Sequence, residues 1–164
     1  MLDRNLKAIF TALLGLMALF YVLQNLVNIG PAYASFDYVL GQADHEAYPG
    51  NLLPALGPPV SRIAAWIVFL GEFAAAGLCL YGAYRMWGSR KAEVTVFAAS
   101  KRFAKLGAAA AAMVWFGFFH VFGGAAYQMW QTELGAASFE GAAIYATFAL
   151  LILIYLGQGE DAAA

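Results

Sequence analysis

Two ionisable residues sit inside long apolar stretches: Glu72 within Leu70-Gly71-Glu72-Phe73-Ala74, and His120 within Phe118-Phe119-His120-Val121-Phe122. A charged group at the centre of a bilayer costs at least about 2.5–3.5 kcal/mol, so such residues demand a partner or a function. On ideal helices rising about 1.5 Å per residue, Glu72 falls roughly 18 Å and His120 roughly 15 Å below the same surface. That spacing predicts that they meet. A Glu–His pair would satisfy both groups and could relay a proton. The structural alternative is a hydrogen-bonded carboxyl that ties helices together and an imidazole bonded to a neighbouring carbonyl. Both residues lie on faces of small residues, with Gly71, Ala75 and Cys79 beside Glu72, and Gly117 and Gly124 in one stripe with His120. Such faces let backbones approach closely, which points the two groups at another helix rather than at lipid.

The remaining candidates are polar clusters at one boundary. Tyr21, Gln24, Asn25 and Asn28 end the first apolar run. These amides could meet a ligand headgroup or a quinone carbonyl, or bond to Gln128 and Gln131 and the adjoining loop. Asp37, Asp44, His45 and Glu46 make that loop acidic. With only 2 histidines, one of them His45 in the loop, no bis-histidine haem site exists inside the membrane. Met17, Met113 and Met129 are read as packing. No His, Cys and carboxylate cluster has metal-ligand spacing, and no nucleophile elbow or phosphate loop is present. The single cysteine, Cys79, forms neither an internal disulfide nor a CxxC motif. The expectation is therefore a non-enzyme with no cofactor and no metal; haem and quinone are disfavoured, and bound lipid is retained as a partner. A net charge of -1 supplies no cationic field for nucleic acid.

These residues need helices to position them. The chain is 63% hydrophobic and 12% charged, against about 45–50% apolar and about 25% charged in soluble domains. The excess is more than a soluble core of this size can hide. Four stretches, roughly 6–29, 60–87, 103–130 and 139–155, are long enough to cross about 30 Å of hydrocarbon. Gly30-Pro31 is expected to stop the first, Pro58-Pro59 with Ser61 as N-cap to open the second, and Ser138 with Glu140 to open the fourth. The first run, about 20 residues, exceeds the roughly 7–15 of a signal peptide and is expected to be a retained span, despite the cleavage-like Ala32-Tyr33-Ala34.

Arg4, Lys7, Arg85, Arg90, Lys91, Lys101, Arg102 and Lys105 fall on one side of these spans and only Arg62 on the other. The positive-inside rule makes that side cytoplasmic. The expected fold is an all-α membrane protein, one integral-membrane domain over 1–164. It is an up-down bundle of four transmembrane helices with both termini cytoplasmic and one long outer loop between the first and second. That loop, Gly30 to Pro59, is expected to cap the bundle with a short surface helix near Tyr38-Val39-Leu40, its tyrosines in the aromatic belt. The basic collar fixes topology and could bind anionic lipid. The tail from Gly159 onward is expected to be held by a neighbouring chain.

The segment Glu72 to Trp87 (EFAAAGLCLYGAYRMW), with Phe97, Lys101-Arg102, Trp115-Phe116-Gly117 and GGAAYQMWQT from Gly123 to Thr132, resembles a bacterial family of predicted small integral membrane proteins of unknown function. The resemblance implies a four-helix inner-membrane protein and supplies no activity. Two positions depart from it: Tyr38 stands where the family carries a histidine, and Ala125 where Glu follows Gly-Gly. Glu72 matches the pattern and is the best single functional residue.

Three functions are compatible with these readings. The preferred one is a non-catalytic accessory subunit packed against a larger respiratory or photosynthetic complex in the bacterial inner membrane. The others are a small proton-coupled carrier or sensor using Glu72 and His120, and a quinone- or haem-associated redox protein.

Overall fold

The computed structural model describes residues 1–159. Four helices among them are long and apolar enough to span a membrane, with mean hydropathies of 1.6 to 2.1. They comprise α1 (Leu2–Val27), α3 (Pro58–Ser89), the pair α4 (Val94–Ser100) and α5 (Arg102–Ala112) continued by a π-helical segment (Met113–Ala126), and α6 (Glu133–Gly157). A further helix, α2 (Ile29–Leu40), follows α1 directly. The expectation about the tail lies, for residues 160–164, outside the described residues.

α3 is the spine. Pro58 sits in its first turn behind the N-cap Gly57, where a missing N–H removes no intrahelical bond. At 32 residues it is about 48 Å long, longer than the hydrocarbon it crosses. α1 and α2 run antiparallel along it in steady register. Arg4 reaches Ala92, Asn25 reaches Glu72, Trp66 donates to Tyr33 at 2.9 Å, and Ser61 donates to Asp37. The first span and about a third of the expected loop are thus one long broken helix.

The break is not where the sequence placed it. Gly30-Pro31 does not stop a helix. α1 ends at Val27, Asn28 leaves helical geometry (φ -117°, ψ 40°), and the chain resumes helix at Ile29 with Pro31 in the first turn of α2. Ser61 is not a cap either; its hydroxyl bonds Asp37 and the Pro58 carbonyl at 3.1 Å. Likewise α6 starts at Glu133, earlier than the expected 139. Its N-cap is Thr132, whose Oγ1 accepts from Gly135 N–H at 3.1 Å, while Ser138 donates to the Leu134 carbonyl within the helix. The surface helix expected near Tyr38 is the C-terminal end of α2.

Lipid offers no hydrophobic drive for helix association, so packing rests on close contact between small residues. Cys79 of α3 is fully buried between α1 and α5. A Cβ on Gly107 would lie 2.5 Å from the Cys79 nitrogen and 2.6 Å from its sulfur, and one on Gly15 would lie 3.0 Å from its Cβ. One turn along, a Cβ on Gly82 would strike the Ala104 backbone.

The end of the bundle where α1 begins and α6 ends is closed by buried cations. Arg4 donates to the carbonyls of Arg90 (3.2 Å) and Ala92 (2.6 Å) and lies over the Phe97 ring at 4.9 Å. Lys7, 1% exposed, pairs with Asp3 at 2.8 Å, and Tyr155 donates to the same carboxylate at 2.5 Å. Lys101 donates to the Gln158 carbonyl at 3.0 Å. Three members of the basic set read as topology signals, Arg4, Lys7 and Lys101, are interior groups that tie the N-terminal arm, the α3–α4 loop and the end of α6 together.

Replacing Gly107 with Val forces a side chain into the Cys79 backbone and should destabilise the bundle by about 1–3 kcal/mol or more. Gly77 is exposed, and no atom lies within 4 Å of the place a methyl group would take. It should accept Ala with unchanged or slightly higher stability. Thermal unfolding of both variants in mild detergent, followed by circular dichroism, makes the comparison.

Candidate functional site

Beyond Gly71 and Val114 the helices part. A cavity of about 450 Å³ opens between α2, α3 and the π-helical segment at the end remote from the buried cations. Its walls include Phe36 of α2, Val68 of α3, and Phe118, Phe119 and Phe122 of the π-helical segment; Asn25, near the end of α1, also lines it. The volume is within the roughly 300–1,000 Å³ of small-molecule sites.

Two local features create this space. At Asn28 the break re-aims α2, so that Phe36 packs edge-on against Phe69 (6.1 Å) and, with Ser35 and Val39, forms the α2 wall of the cavity. The chain from Met113 to Ala126 bonds i to i+5, as at its end, where Tyr127 N–H donates to the Phe122 carbonyl at 2.9 Å. Such widened turns are rare and concentrate at functional sites. The aromatic trio Tyr21, Trp115 and Tyr145 holds the start of this segment to α1 and α6, with ring separations of 4.7 to 6.4 Å and a hydrogen bond between the two tyrosine hydroxyls. At its far end Gln128 takes a left-handed conformation (φ 52°), turning the chain into a 3-10 turn, Met129–Gln131.

Glu72 is 3% exposed, and its Oε2 accepts from Asn25 Nδ2 at 3.3 Å. The expected pairing with His120 is absent: among the described residues, neither a hydrogen bond nor an ion pair joins them. The reason is depth. Glu72 lies 14 residues into α3, about 21 Å from its start, whereas His120 is only 6 residues, at most about 9 Å, from the end of the π-helical segment. The sequence reading ran that helix on to 130, but it ends at Ala126. The His120 ring packs against Phe139 at 4.2 Å, with Nε2 buried and unpartnered.

The boundary amides divide in two. Asn25 serves Glu72, and Asn28 donates to the Gln24 carbonyl at 3.0 Å, while the Gln24 residue is exposed. Gln128 and Gln131 bond each other at 2.5 Å and reach over to the loop, Gln131 exchanging bonds with the Tyr48 backbone and Gln128 donating to the Gly50 carbonyl. The loop after α2 is thereby stitched across the bundle end.

Its acidic residues do not converge. Asp37 accepts from Ser61, Asp44 accepts from Tyr38 at 2.9 Å, Glu46 is exposed, and His45 keeps Nδ1 buried without a partner. The hydrogen bond to Asp44 holds the Tyr38 phenol above its usual 10.0. Of the small residues, Gly71 meets Val114, Ala75 is buried, and Gly124 abuts Phe139. Gly117 is different: a Cβ there would meet only Met113 of its own segment, so it marks no helix contact. Among the described residues no three His, Cys, Asp or Glu side chains are grouped to hold a metal.

Sequence reasoning missed the cavity. The signals available were the Phe118-Phe119 and Phe122 face followed by Gly123-Gly124, and an amide one helix away from a buried carboxyl.

The fold and the site together define a four-span integral membrane protein with a polar pair beside an apolar cavity. The chain belongs to the family described as predicted small integral membrane protein (DUF2165), whose model matches residues 3–159. No curated protein and no solved structure matches it.

A double-mutant cycle on Asn25→Ala and Glu72→Ala should return a coupling of about 0.6–1.7 kcal/mol, the range of hydrogen bonds between membrane helices. The matching cycle on Glu72 and His120 should return none. Detergent unfolding free energies supply both; coupling in the second cycle and not the first would reverse the assignment.

Proposed function

We propose that this protein is a non-catalytic binding protein of the bacterial inner membrane, both termini cytoplasmic, that takes a hydrophobic molecule from the bilayer into the cavity beside Asn25. The observation that carries this reading is the 450 Å³ cavity itself, walled by aromatic and aliphatic side chains and including a single amide from the spanning part of α1. None of its lining residues is a cysteine, a histidine or a carboxylate; the Asn25 amide and the hydroxyls of Ser35, Tyr127 and Ser138 supply hydrogen bonding to an otherwise apolar wall. The orientation rests on the basic residues gathered at the opposite end.

A role as a subunit of a larger assembly is the second reading. It is favoured by α6, which buries only 22% of its most apolar window where α1 and α3 each bury 39%. Ile144, Phe148, Leu151 and Ile154 make its exposed face apolar, a surface for lipid or a neighbouring subunit to cover.

Purification from native membranes in mild detergent, with mass spectrometry of both the co-purifying chains and the extracted small molecules, tests the two together. The binding reading expects one hydrophobic species in near-stoichiometric amount, lost when Ala64→Trp fills the cavity. A wild-type extract indistinguishable from that of Ala64→Trp would end it, whereas a fixed-ratio partner chain would establish the subunit reading.

A further inference from the structure

Resting on the binding reading, we infer that the occupant carries a hydrogen-bond-donating hydroxyl on an apolar body, and that Asn25 Oδ1 receives it. The inference follows from an inventory of the polar atoms at the cavity wall. Asn25 commits Nδ2 to Glu72 Oε2 at 3.3 Å. That bond uses one of the two hydrogens on Nδ2, and among the described residues no group donates to the carbonyl oxygen, Oδ1. The two serines of the lining are spent in the same sense. Ser35 Oγ donates to the Pro31 carbonyl and Ser138 Oγ to the Leu134 carbonyl, each at 3.1 Å, which leaves each hydroxyl oxygen as an acceptor. Tyr127 can donate or accept and does not decide the matter. The other lining residues have apolar side chains or are glycine.

An occupant that brings only acceptors, such as a ketone, a quinone or an ester, could take the second Asn25 N–H or the Tyr127 hydroxyl but would leave Asn25 Oδ1 and the serine oxygens without a donor. One that brings a hydroxyl donates to Asn25 Oδ1 and leaves the Asn25–Glu72 bond intact. Glu72 positions the amide through Nδ2 and is not among the residues that line the cavity.

The test uses the full-length protein in lipid nanodiscs and equilibrium binding of tritiated 1-dodecanol, with competition by dodecyl methyl ether, 2-tridecanone and 4-dodecylphenol. The alcohol should bind roughly tenfold tighter than the ether, the worth of one satisfied hydrogen bond in an apolar site. Asn25→Leu should erase that preference while leaving the ether's affinity within about twofold, and Ala64→Trp should abolish saturable binding of all probes. The phenol against the alcohol separates an aromatic from an aliphatic carrier of the hydroxyl, and preference for either over the ether supports the inference. Equal affinity for alcohol, ether and ketone overturns the hydroxyl assignment and leaves the cavity reading standing. A preference for the ketone overturns it too, by placing the amide N–H toward the occupant. Failure of every probe to bind saturably removes the cavity reading and this inference with it.

Discussion

Everything in this bundle is arranged around the contact at Cys79, where helices from three parts of the chain come within van der Waals range on glycine. In water such a core would form because apolar surface leaves solvent; among lipid tails that drive is absent, and dispersion between closely fitted backbones replaces it. The fit requires Gly15 on α1 and Gly107 on α5, because any side chain at Gly107 would occupy the space of the Cys79 backbone. Around this point the inner half of the molecule is fixed, and the buried Arg4, Lys7 and Lys101 close it at its end. These cations reach carbonyls, rings and Asp3, so their desolvation is offset by charge-assisted bonds.

A tight inner half has a consequence for the outer half. Helices held on glycine at one end and furnished with Phe118, Phe119 and Phe122 at the other cannot remain in contact along their whole length. They splay, and the gap is the cavity. The π-helical turns and the break at Asn28 are the local answers to this geometry. Each lets a helix follow its neighbour in the inner half and depart from it in the outer half.

Much of the fold is legible because membrane helices are written in long, one-dimensional signals: apolar length, flanking basic residues, Pro58 at a helix start. What cannot be read are features decided by three-dimensional fit. Gly30-Pro31 reads as a stop, yet proline in the first turn is compatible with a helix, and the choice between stopping and restarting depends on whether α2 can pack on α3. The π-helical segment leaves no sequence mark, and without it His120 is placed deep enough to predict a pair with Glu72. Glu72 itself is recognisable as needing a partner. That partner, Asn25, belongs to the boundary amides, and an α1 running on to 29 would set the two at different depths.

The Asn25–Glu72 bond stands where the closed and open halves meet. Seen from the inner half it is a structural tie between α1 and α3, of the kind that holds helices together wherever a carboxyl must be buried. Seen from the cavity it is a positioning device, since it holds the amide at Nδ2 while no group among the described residues donates to Oδ1. These roles do not compete. A carboxyl kept solely for adhesion would be equally well satisfied by an amide facing a packed wall, whereas Asn25 faces about 450 Å³ of apolar space. Placing a costly polar interaction of the spanning region at the edge of this large opening is an arrangement that packing alone does not require.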